Sequence, residues 1–198
     1  MSSFRTEPFL WIHLAGIAVA PLALLVMGVA LGVATPLTPY PLELLLLVGM
    51  GLVPVLWMQW QRPFEIFSLL LIALRPDQLS EERRRILALF LRPRQRWLTL
   101  LGTLLLLLKL GFIYYYAPLA AMATLEFPQI RILALLVAAL AFLIANLFLQ
   151  VPLSVLGVLL TSQATYEATQ PLESTQVQTQ FTIPGLRVRA LPWLTPQP

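Results

Sequence analysis

Four runs of apolar residues, each long enough to cross a bilayer, leave this chain little freedom in what it can fold into. A transmembrane helix needs about 20 predominantly apolar residues. The first run, LWIHLAGIAVAPLALLVMGVALGVA, covers residues 10–34 and holds no formally charged side chain when His13 is neutral. The others cover residues 42–60, 97–116 and 132–160, the last with an apolar extension past Pro152. Backbone inside lipid has to satisfy its own hydrogen bonds, so runs of this length are read as helices. The expected fold is an all-α membrane protein, with a four-helix membrane domain over residues 1–162 and a polar, extended or disordered tail over 163–198. The small residues at Ala18–Ala20 resemble a signal-peptide cleavage site. Pro21 follows at once, however, and the apolar run continues to Ala34, so the first span is expected to be retained.

Charge is scarce, at 11% of residues against 59% hydrophobic, where a soluble domain is nearer a quarter charged. The absence of cysteine excludes disulfides, thiolate metal sites and thiol nucleophiles. The net charge of +4 is not spread evenly. Eight of the 13 basic residues lie between Arg62 and Arg96, namely Arg62, Arg75, Arg83, Arg84, Arg85, Arg92, Arg94 and Arg96. Beside membrane spans, the natural partners of such a cluster are anionic headgroups or another membrane protein, not nucleic acid. The positive-inside rule then places the 61–96 loop, and with it both termini, in the cytoplasm. Trp60 and Trp97 mark the inner interface and Tyr40 with Tyr114–Tyr116 the outer one, as aromatic belts do.

Between the second and third runs, the apolar stretch Phe64 to Leu74 is 11 residues long, about 16 Å as helix, too short to cross. On a helix, Arg62, Glu65, Ser68, Ile72 and Arg75 form one stripe, polar apart from Ile72. That pattern predicts a helix at the headgroup boundary. Pro76 ends it. A second helix restarts with Ser80 as its cap, Glu81 and Glu82 at its positive end, and Glu81–Arg85 as an i, i+4 pair. Residues 62–92 are therefore expected to form a cytoplasmic amphipathic helical hairpin. The tail shows no helical period. Its segment TQFTIPGLRVRALPW alternates as an extended strand would, interrupted by Pro184–Gly185, and would need a partner such as the basic hairpin.

Ionisable groups at membrane depth are functional candidates. Lys109 lies about five residues, or 7–8 Å along the axis, from the tyrosine belt and can snorkel to it. The alternative pairs it with Glu43 at the outer end of the second span, as structural glue or part of an ion path. His13, the only histidine, could ligate the magnesium of a chlorophyll or a haem iron, or simply hydrogen-bond near the interface. Asn146 and Gln150 suit interhelical hydrogen bonds. Gly16-xxx-Ala20, Gly28-xxx-Gly32, Ala134-xxx-Ala138 and Ala141-xxx-Ala145 suggest close helix seams, and Pro21, Pro54 and Pro152 suggest kinks.

No catalytic fingerprint is found, neither GxSxG, HExxH, a P-loop nor a dinucleotide motif. One histidine, one aspartate and no cysteine cannot assemble most nucleophile–base arrangements. The stretches EPFLWIHLAGIAVAPL and VPVLWMQWQRPFEIFSLLLIALRPDQLSEERRRIL, with FTIPG in the tail, resemble the cyanobacterial family of low-complexity tail membrane proteins. The LWMQWQRPF junction is the most specific part of the likeness, and the tail here is shorter and less biased than the family name implies. The resemblance transfers no activity. It implies a cyanobacterial thylakoid or plasma membrane and favours a photosynthetic setting. The function expected from all this is a non-enzymatic protein that binds or assists assembly of a larger membrane complex. The rivals are a small transporter or channel subunit using Lys109 and Glu43, a pigment-binding protein using His13, and, last, a lipid enzyme.

Overall fold

The computed structural model describes residues 4–35, 40–69, 72–183 and 185–189. Part of the expected 35–41 loop, Leu70 and Leu71 within the expected hairpin, Pro184 and the end of the expected tail lie outside the described residues. In chain order the helices are α1 (Pro8–Ala15), α2 (Val19–Gly32), α3 (Tyr40–Leu47), α4 (Val53–Gln61), α5 (Glu81–Phe90), α6 (Pro93–Tyr116), α7 (Arg131–Leu159), α8 (Gln163–Glu167) and α9 (Ser174–Gln180). Three short strands are β1 (Ser68–Leu69), β2 (Ile72–Leu74) and β3 (Leu186–Val188).

Among the described residues, four helical stretches are long and apolar enough to span a membrane: Pro8–Gly32, Tyr40–Gln61, Pro93–Thr124 and Arg131–Leu159. Their large side chains are widely exposed, Leu25, Leu108 and Leu140 among them, as lipid contact requires. The first span changes to a 3-10 stretch at Gly16–Ala18, just before Pro21. The second passes through a π-helical turn at Val48–Leu52, just before Pro54, where the Val53 N–H returns to Val48 O. Proline supplies no N–H to the ladder, and both adjustments are ways of absorbing that loss. Pro152, by contrast, lies inside an unbroken α7.

The chain divides into two compact units. One gathers residues 16–57 and 100–150. Its core packs Met27, Leu31, Leu47, Leu106, Leu110 and Phe142 against small residues of α7. Ala134, Ala138, Ala141 and Ala145 are all buried, and a Cβ on Gly32 would stand 2.9 Å from that of Ala120. The small residues therefore lie at helix seams, where backbones approach closely.

The other unit gathers residues 1–15, 58–99 and 151–198, and here the structure corrects the expected hairpin. Its first arm is not a helix. β1 and β2 form an antiparallel pair in which Ser68 faces Ala73 and Leu69 faces Ile72. The tail strand β3 adds in parallel to β2, with Ala73 opposite Arg187. Phe64 bridges Thr182, and the Glu65 N–H donates to Thr182 O at 3.0 Å. An apolar run buried on both faces reads the same as a strand or as a helix, and the tail tips the balance by supplying ladder partners. The second arm is helical: Ser80 Oγ accepts from the Arg83 N–H at 3.3 Å, and Arg85 pairs with Glu81 at 3.1 Å. Nor is the tail simply extended. It contains α8, capped by Ser162, and α9, which opens with a capping box between Glu173 and Gln176. Phe9, Phe67, Ile86, Leu87, Val177 and Phe181 form the core of this unit.

Candidate functional site

Glu43 lies in the first turn of α3 and Arg131 is the first residue of α7. Both are almost fully buried, with 1% and 4% of their surface exposed. The guanidinium holds the carboxylate at both oxygens, with Nε to Oε1 at 2.9 Å and a second bond from Nη2 to Oε2. Tyr114, on α6, donates its hydroxyl to the same Oε2. The remaining guanidinium edge, Nη1, donates to Leu31 O at 2.8 Å and Val33 O at 3.0 Å. These carbonyls belong to the end of α2, where helical carbonyls lack intrahelical partners and the dipole favours a cation. Nearby, Thr124 donates to Gly32 O and Gln129 accepts from the Ala34 N–H. This holds Ala34 at a φ of 58°, a left-handed conformation unusual for alanine.

The cluster corrects the pairing of Glu43 with Lys109. Both carboxylate oxygens are engaged by Arg131 and Tyr114, while Lys109 is exposed and lines an open apolar groove with Leu25, Phe112 and Tyr116. Read in sequence, Tyr114 is only part of the interfacial belt and Arg131 falls just outside the fourth run, so sequence reasoning misses both. The available signal was geometric: opposite charges opening the second and fourth spans at the same end of an even-numbered bundle.

The uncharged polar residues of α7 also bond within their unit. Asn146 donates to Gly51 O at 3.2 Å and to Leu52 O at 3.0 Å, at the π-helical turn. Gln150 donates to Thr103 Oγ1 at 3.1 Å.

The arginines of the other unit divide by role. Arg83 pairs with Glu7 at 3.2 Å and lies over the rings of Phe9 and Phe67. Arg62 donates to Gln178 O, Arg85 lies over Tyr166 and Arg96 over Trp60. Arg84 is half-buried, and its backbone carbonyl accepts from the Leu172 N–H. Arg75, Arg92 and Arg94 are exposed. His13 is half-buried beside Phe64, and its Nδ1 stands 2.9 Å from Phe9 O. Because a carbonyl only accepts, Nδ1 carries the proton, and the lone pair that a magnesium or iron centre would use lies on Nε2.

Glu65 is the one buried acid of this unit, with 1% exposed. The Phe67 N–H donates to its Oε1 at 2.7 Å, and Oε2 is buried without a partner among the described residues. Burial pushes its pKa up to about 8, against the opposing effect of that backbone hydrogen bond.

No curated protein and no solved structure matches the chain. A family model described as low-complexity tail membrane protein-like matches residues 6–193. That match takes in the four spans, the buried charge cluster, the strand pair and the tail strand that completes it. By this match the chain belongs to the low-complexity tail membrane protein-like family.

Proposed function

We propose that this membrane protein is a non-enzymatic partner of a larger membrane complex, which it binds or helps to assemble, with its termini and arginine-rich loop in the cytoplasm. The observation that carries the reading is the ordering of the residues outside the spans. Fixing backbone costs roughly 1–2 kcal/mol per residue, and crossing a membrane does not require it. Yet within residues 163–183 the chain forms two capped helices, α8 and α9, and β3 locks onto the hairpin. The product is a shaped, arginine-bearing surface of the kind that docking requires. A photosynthetic complex is the partner that the likeness to a cyanobacterial family favours.

Transport through Lys109 and Glu43 is less well supported, because Glu43 is committed to Arg131 and Tyr114. The bonds to the α2 carbonyls make that cluster a clamp on helix ends. The test is affinity purification of a tagged full chain in mild detergent, followed by mass spectrometry. Near-stoichiometric recovery of subunits of one membrane complex is the expected result. Recovery of the chain alone at monomer size overturns the proposal.

A further inference from the structure

Around the start of α6, three features converge on one cleft of about 370 Å³, inside the unit that holds the strands. The first is charge of the wrong sign for a helix. The N-terminal end of a helix carries partial positive charge and favours acids, but the first turn of α6 has none. Instead Arg92 precedes it and Arg94 lies in it, and both line the cleft. Neither makes an ion pair among the described residues, and no residue lining the cleft is acidic.

The second feature is Gln95, which also lines the cleft and is only 8% exposed. Its Nε2 donates to Ser154 O at 3.2 Å, which orients the amide. Its Oε1 is buried and accepts no hydrogen bond among the described residues. A buried acceptor without a donor is costly, so the oxygen calls for a donor from whatever fills the space. Third, Gly157 makes the room. A Cβ there would come within 3.1 Å of both terminal atoms of the Gln95 amide and 2.5 Å of Leu98 Cδ1.

We propose that this cleft binds the headgroup of an anionic, hydroxyl-bearing lipid, with its oxyanion on Arg92 and Arg94 and a hydroxyl donating to Gln95 Oε1. Two cations against one oxyanion is the usual solution for phosphate or sulfonate. Free inorganic phosphate shares that chemistry, but two features favour a lipid. The lining includes Leu160, 61% exposed, where an acyl chain can lie, and Trp97, one helical turn on from Pro93, is 72% exposed and of a residue type enriched at membrane interfaces.

The test is native mass spectrometry of the full-length protein in detergent. It is titrated with phosphatidylglycerol, with phosphatidylcholine, and with phosphatidylglycerol in the presence of inorganic phosphate. One phosphatidylglycerol should be retained in preference to phosphatidylcholine. The exposed-residue variant R92Q/R94Q should weaken retention about tenfold or more, as loss of charge-assisted hydrogen bonds does. Gln95→Leu should weaken phosphatidylglycerol without strengthening phosphatidylcholine. Arg187→Gln, at an exposed arginine on β3 outside the cleft, should leave retention unchanged. Equal retention of both lipids, or an equal loss in Arg187→Gln, would mean diffuse surface attraction and overturn the site. Displacement by inorganic phosphate at matching affinity would overturn the lipid assignment.

Discussion

Removing the Arg131 guanidinium takes from Glu43 the donors that let a carboxylate stay ionised while buried, and from α2 the cation at its end. Breaking one side of a buried pair costs roughly 3–5 kcal/mol, chiefly through the charge left behind. Arg131→Met should therefore lower the thermal midpoint in detergent sharply. The double variant Glu43→Leu with Arg131→Met should recover much of the loss, because replacing both partners leaves no orphaned charge. A double variant as unstable as the single would show that the carbonyl bonds to Leu31 and Val33 matter more than the ion pair. Glu65 yields a prediction of a different kind. Its folded pKa of about 8 exceeds the ordinary 4.5, so the folded state keeps a proton that the unfolded chain releases. The stability it permits is whole below about 4.5, declines as pH rises through the window to about 8, and is level above. At 1.36 kcal/mol per pKa unit the effect is on the order of 5 kcal/mol. The difference in melting temperature between wild type and Glu65→Gln, measured at pH 5.5 and pH 8, should widen in favour of the variant. A constant difference would show Glu65 ionised throughout.

Among the elements, the tail has most to lose from a single side chain. Phe181 is 2% exposed, between α9 and the Thr182 bridge to Phe64. Phe181→Ala should cost roughly 3–5 kcal/mol as a large-to-small core change. It should also make residues 168–183 the first site of limited proteolysis. Unchanged protease resistance would mean that the tail holds without this anchor. The same region shows where sequence ceases to determine structure. The spans were legible because lipid imposes a length and a composition that hydropathy reads directly, and the ends of three of the four helical stretches lie within a few residues of those expected. The third continues as 3-10 helix to Thr124. The first hairpin arm was not legible. Its 11 apolar residues fit either period, and the strand that decides the matter lies more than a hundred residues away, at Leu186–Val188. Two elements with cap chemistry of their own illustrate the contrast. Ser80 before α5 could be read in advance, whereas the Glu173–Gln176 box before α9 was there to read but lay in a segment judged by its missing hydrophobic period.

For the molecule as a whole, whether the chain crosses between the arginine-rich loop and the 125–130 connection, and in which direction, are separable claims that one experiment tests. Four spans put the arginine-rich loop and the 125–130 connection on opposite sides of the bilayer, whichever way the protein is inserted. The positive-inside rule adds the direction, since eight arginines lie between residues 62 and 96 while the far connections offer only Arg131. Arg131, moreover, is buried against Glu43, which leaves that end with less free positive charge than a count suggests and strengthens the asymmetry. The chain contains no cysteine, so single thiols can be introduced without a background to remove. Asp77 and Glu126 are both exposed and lie outside regular α-helix and strand. Asp77→Cys and Glu126→Cys should react with a membrane-impermeant maleimide from opposite faces of sealed right-side-out vesicles. Glu126→Cys should label in intact vesicles, and Asp77→Cys only after permeabilisation. The reverse pattern would keep four spans and invert the protein. Labelling of both from one face would mean that the helix Pro93–Thr124, the candidate span between the two sites among the described residues, does not cross.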